Sequence, residues 1–161
     1  MTPRVFTSPA DAAGDLIGLM RHGLPLPAIY LRGLLTVHER ELIMVAVSRV
    51  NACAGCTFVH QRWALRSGVG DEELRALELG DLSELDARSR AAVVYATARA
   101  ESRFRRPPPA DVAAAAQASL TPREIAAVEA IARAMAIANL TVNSSGALLA
   151  RLRRPAPRIG F

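Results

Sequence analysis

Thr121, Pro122 and Glu124 stand together at the head of a long stretch of helical period. A threonine that can cap, a proline where no amide is needed, and an acid three residues on that reaches back to the cap make a strong helix start. Ile125, Val128, Ile131, Met135 and Val142 then recur at helical spacing as far as Ser144 or beyond. The signal is repeated earlier, where Thr36 and Glu39 form a T-x-x-E box before Leu42, Ile43, Ala46, Val47 and Val50. No stretch shows the two-residue alternation of a strand, so the spacing predicts an all-α fold.

The remaining elements read the same way. Ser8 and Pro9 open a helix over residues 8–21, carried by Ala12, Leu16, Leu19 and Met20 and ended by Gly23. Pro25 and Pro27 predict a bend in residues 24–35, followed by a short helical turn that packs over the site described below. A helix through Trp63 and Leu65 stops at Gly68, and the acidic-started DEELRALEL stops at Gly80. Ser83 and Asp86 cap a further helix through Ala91, Val94, Tyr95 and Ala98 to Ser102, halted by Pro107, Pro108 and Pro109. Residues 110–118 form an Ala-rich helix. With 161 residues, about half of them apolar, residues 1–161 suit a single helical domain. There is also a faint internal echo. Leu35-Thr36 with Arg40-Glu41-Leu42 resembles Leu120-Thr121 with Arg123-Glu124-Ile125, and Asn139 and Asn143 then fall where Cys56 and His60 would.

Function concentrates in ELIMVAVSRVNACAGCTFVH, residues 41–60, which holds both cysteines of the chain. Cys53, Cys56 and His60 lie at i, i+3 and i+7, so on one helix they share a face. Glu41 lies twelve residues before Cys53. On one straight helix the two would be about 120° apart, so a break near Asn51 is required, with Asn51 capping the next helix. Spacing alone serves equally well for Glu41 as an ordinary first-turn carboxylate favoured by the helix dipole.

Two cysteines three apart close too small a loop for a useful structural disulfide, which leaves redox chemistry or a metal. Zinc would draw on Cys53, Cys56 and His60 with Glu41 as a fourth ligand, but a structural site ordinarily wants a second close pair. For redox chemistry a cysteine must become a thiolate, and two devices offer that. A helix N-terminus favours it at Cys53, and His60 can serve Cys56 as base or cation. Spacing does not choose between them. Glu41 would orient or deprotonate His60, completing a relay with the other thiol as resolving partner. Such a thiolate attacks a peroxide oxygen, becomes a sulfenic acid and condenses with its neighbour to a disulfide, which an outside dithiol reopens. His22 and His38 have no such neighbours, and Phe58 and Trp63 are expected in the core.

The pattern E-x(11)-C-x-x-C-x(3)-H, met by Glu41, Cys53, Cys56 and His60, resembles the redox branch of the alkylhydroperoxidase D and carboxymuconolactone decarboxylase family. The surrounding RELIMVAVSRVN and ALRSGVGDEELRAL extend the similarity to about residues 36–80. The resemblance implies an all-α fold with internal duplication, assembly as trimers or hexamers, and hydroperoxide reduction without metal or flavin. It also implies that Cys56 attacks, that Cys53 is its partner, and that a lipoyl-bearing or thioredoxin-like protein recharges the pair. Members named alkylhydroperoxidase D carry a second histidine just before the second cysteine, where this chain has Gly55. The decarboxylase branch lacks the C-x-x-C, which argues against lactone decarboxylation.

Charge excludes less than it suggests. All 20 basic residues are arginine, and the net charge is +5, yet they are spread along the chain and interleaved with Asp and Glu. Without a basic stripe carrying aromatics, a solvated surface is the better reading than a nucleic-acid face. The arginine-rich end RLRRPAPRIGF is read as a solvated or subunit-embracing extension. MTPRVFTSPADAAG lacks the apolar core of a signal peptide, and no uninterrupted apolar run reaches the roughly 18 residues of a membrane span. The expectation is a soluble, cytoplasmic protein.

Overall fold

The computed structural model describes residues 2–23, 29–30 and 33–152, and these are helical, without a strand. The helices are α1 (Pro9–His22), α2 (Val37–Val50), α3 (Ala54–Arg66), α4 (Asp71–Leu79), α5 (Ala87–Glu101), α6 (Ala110–Ser119) and α7 (Pro122–Leu152), with a 3₁₀ turn at Leu82–Glu84. The predicted bend at residues 24–28, and with it most of the segment expected to cover the site, lies outside the described residues. Of that segment Ile29 is helical and fully buried.

Helix α2 is the axis of the fold, packed against α3, α5 and α7. Leu42, Ile43, Val45, Ala46, Val47 and Ser48 are all buried, so its middle is enclosed on every side. One core lies between α2, α5 and α7, where Ile43 and Val47 meet Ala92, Ala96, Ala127, Val128 and Ile131. The alanines let these helix axes approach closely, since interaxial distance follows the side chains at the contact. A second core gathers Leu42, Val45, Ala64, Leu74, Leu77 and Val93 beneath α3 and α4.

Both predicted capping boxes are formed. The Thr36 amide donates to Glu39 Oε2 at 2.7 Å, and the Thr121 amide donates to Glu124 Oε2 at 2.7 Å. Arg88, at the start of α5, joins the two, donating from Nε to Glu39 at 2.6 Å and from Nη2 to Glu124 at 2.8 Å. The bond from Arg88, followed by that from the Thr121 amide, brings the Glu124 carboxyl down to about 2. Asp86 caps α5 through the amides of Arg88 and Ser89, whereas Ser83, expected to share that role, belongs to the 3₁₀ turn. Gly80 ends α4 at φ +75°, a left-handed position that favours glycine.

The internal echo is visible at the helix starts and then fails. The first copy of the echo breaks after Val50, whereas α7 runs unbroken through Asn139 and Asn143 to Leu152. By length and composition α7 could cross a membrane, with a mean hydropathy of 1.6 over its most apolar window. This corrects the expectation that no apolar run reaches a span, because the window stays apolar on average across its few polar and charged residues. Half of that window is buried inside the fold, and packing against α2 and α5 accounts for its apolarity.

Several arginines expected on a solvated surface instead tie elements together. Arg99 grips the buried Glu129 through Nε and Nη2 at 2.8 and 2.9 Å, and Arg133 holds the same carboxylate at 2.8 Å. Burial alone would raise the Glu129 carboxyl; the two guanidiniums overcome it and hold it below its usual value. Helix α1 contributes no residue to the core, and Arg103 anchors it by bonds to Asp11 at 2.9 Å and Asp15 at 2.8 Å.

Candidate functional site

The break that Glu41 requires is present, though Asn51 plays the opposite part from the one expected. Asn51 closes α2 as its C-terminal cap, and Cys53 is the residue that precedes α3. Between them Ala52 has φ +50°, a left-handed conformation costing a non-glycine residue about 1–2 kcal/mol. The turn is closed by bonds from Ala52 N to Arg49 O at 2.9 Å and from Cys53 N to Ser48 O at 3.0 Å. Its result is to fold α3 back against α2, which brings Glu41 and His60 together across the two helices.

His60 Nδ1 lies 3.0 Å from Glu41 Oε2. Glu41 is 8 % exposed and His60 is half-buried. A neutral ring that donates its Nδ1 proton to the carboxylate keeps Nε2 free as an acceptor. Cys56 precedes His60 by one turn, about 6 Å along the helix axis and about 40° around it.

Cys53 and Cys56 are joined in a disulfide, with Cα atoms 5.3 Å apart. The two sulfurs differ in access. Cys53 is 1 % exposed, while Cys56 is half-buried and reaches the surface. No side chain caps α3 and its first turn carries no acid, so its leading amides face the disulfide without a competing anion. An open groove of about 370 Å³, lined by Arg49, Ala52, Ala54, Thr57, Phe58 and Gln61, runs beside this turn. A larger one of about 440 Å³, between α2, α4 and α5, touches neither sulfur.

Two expectations about neighbouring residues change. Phe58 and Trp63 are 59 % and 55 % exposed, because α3 buries only Ala64 and leaves the rest of its apolar side chains outward. His38 is paired with Glu73 at 3.0 Å, linking α2 to α4, as befits a histidine without a chemical role. Among the described residues no three His, Cys, Asp or Glu side chains converge on a point that could hold a metal ion.

Sequence reasoning missed the polar cluster behind the turn. Asn51 Nδ2 donates to Asn139 Oδ1 at 3.2 Å, Asn139 Nδ2 donates to Ser48 Oγ at 3.2 Å, and Ser48 Oγ donates to Met44 O at 2.7 Å. The signal available was two amides in the otherwise apolar face of α7, since buried amides require partners.

Residues 24–98 match the sequence profile of the carboxymuconolactone decarboxylase family, a span that includes Glu41, both cysteines and His60. No curated protein matches the chain.

Proposed function

We propose that this chain, whose residues 24–98 match the carboxymuconolactone decarboxylase family, is a member of it and a thiol-dependent hydroperoxide reductase acting through Cys53 and Cys56. The observation that carries this reading is the contact of Glu41 with His60 at 3.0 Å, one helical turn from the more accessible sulfur of a C-x-x-C pair.

In the reduced protein His60 Nε2 takes the Cys56 proton, and Glu41 stabilises the imidazolium that forms. The Cys56 thiolate attacks the outer oxygen of the hydroperoxide. The O–O bond breaks, an alcohol leaves with a proton from His60, and Cys56 becomes a sulfenic acid. Cys53, held behind it and out of solvent, attacks that sulfur, and water leaves as the disulfide closes. A dithiol protein, lipoyl-bearing or thioredoxin-like, then returns two electrons and two protons. The alternative assignment, with Cys53 as the attacking thiol, is disfavoured by its burial, since a peroxide must reach the sulfur it oxidises. No metal or flavin enters this scheme. Assembly as a homo-oligomer belongs to the same proposal, and the exposed apolar side chains of α3 support it.

The test is peroxide consumption driven by excess dithiothreitol. The wild-type protein should turn over many times, and Cys56→Ser should not turn over at all. Turnover retained in Cys56→Ser would remove the mechanism.

A further inference from the structure

We propose that Asn139 and Asn143 of α7 are positioning residues for the Cys53–Cys56 pair, fixing from the far half of the chain the turn that carries Cys53. The inference deepens the redox reading of that pair and rests on it for its consequence.

The two asparagines grip the turn at different points. Asn139, fully buried, takes the Asn51 side chain and passes the chain of bonds on to Ser48. Ser48 in turn supplies the carbonyl that receives the Cys53 amide. Asn143 Nδ2 donates to Asn51 O at 2.9 Å and to Arg4 O at 2.9 Å, and the Arg4 amide donates to the same Asn51 carbonyl at 3.1 Å. Each of the three asparagine side chains donates a bond within the protein. Ala52, at φ +50°, is therefore held from three directions: by α2, by α7 and by the segment at Arg4.

A helix break could be made with a glycine and nothing behind it. Here an alanine is kept in a left-handed conformation by buried amides, as expected where the surroundings over-determine a strained residue for a purpose. The purpose we assign is proximity. With the turn fixed, the Cys53 Cα stands 5.3 Å from that of Cys56, inside the range a disulfide needs. Closing the disulfide then requires little further ordering of the chain. Releasing the turn lets Cys53 wander in the dithiol form and favours that form.

The experiment reads this without peroxide, so its outcome is separate from that of the proposed activity. The intact protein is equilibrated with mixtures of reduced and oxidised dithiothreitol. In that exchange the protein disulfide gains two electrons and two protons as the reagent closes its own ring, and alkylation followed by mass measurement counts the free thiols. Asn139→Ala and Asn143→Ala should each move the equilibrium at least tenfold toward the dithiol, about 30 mV for a two-electron couple. Val128→Ala, a core truncation on the same helix, should lower the melting temperature and leave the equilibrium within twofold of wild type. Asn143 is only half-buried, so its variant reads the proposal even where Asn139→Ala does not fold. An unmoved equilibrium in Asn143→Ala, or an equal shift in Val128→Ala, would overturn the assignment.

Discussion

Arg88→Ala removes the side chain that joins the two capping boxes. The Glu124 carboxyl stands at about 2 against 4.5 when free. The whole depression would amount to ~3 kcal/mol, but the Thr121 amide and hydroxyl share it with Arg88. Arg88 is 37 % exposed, so solvent screening reduces this to about 1–2 kcal/mol. Glu39, only 5 % exposed in its side chain, loses its guanidinium partner, and a buried group left short of partners costs about 1–3 kcal/mol. Together the substitution should destabilise the protein at pH 7 by about 2–5 kcal/mol, equivalent to roughly 4–20 °C for a chain of this size. The sign of the pH dependence follows from the depressed carboxyl. Its contribution is complete above pH 4.5 and disappears as pH falls through 2, because the neutral acid no longer attracts the guanidinium. The gap between the urea unfolding curves of wild type and Arg88→Ala should therefore narrow between those values by the Glu124 share. A gap that stays constant from pH 7 to pH 2 would refute this account of the junction.

Two further predictions concern the site. Glu41→Gln keeps the shape of the residue facing His60 and removes its charge; kcat/KM for a hydroperoxide should fall by about 10²–10⁴ with the fold intact. A loss under threefold would take Glu41 out of the relay. Gly55 is exposed, and a Cβ placed there meets nothing within 4 Å, so Gly55→His should fold at least as stably as wild type. If the missing histidine limits proton delivery, that variant consumes peroxide faster, as a rate assay at fixed dithiol will show; an unchanged rate assigns delivery to His60 alone.

How much of this was legible in the sequence depends on the range of the interaction. Helix starts at Ser8, Thr36, Asp86 and Thr121, and the stops at Gly23, Gly68 and Gly80, are set by bonds between neighbours and could be read directly. So could the need for a break between Glu41 and Cys53, since it follows from helical geometry alone. Which residue capped which helix at that break was not legible. Asn51 is drawn to Asn139, 88 positions away, and that pairing exists only after α7 has docked. The outward face of Phe58 and Trp63 was missed for a related reason: an apolar residue shows in the sequence, but the element that leaves it uncovered does not. The arginines were misjudged similarly, because Arg99 and Arg103 find their carboxylates on other helices.

In the proposed mechanism electrons reach the peroxide through Cys56. The most direct measurement uses reduced Cys53→Ser, mixed with one equivalent of tert-butyl hydroperoxide in the presence of dimedone, with the site of the adduct located by mass spectrometry. A sulfenic acid should be trapped on Cys56, and in wild type it should be replaced by the Cys53–Cys56 disulfide. Peroxide left unconsumed, or consumed with Cys56 unmodified, would contradict it.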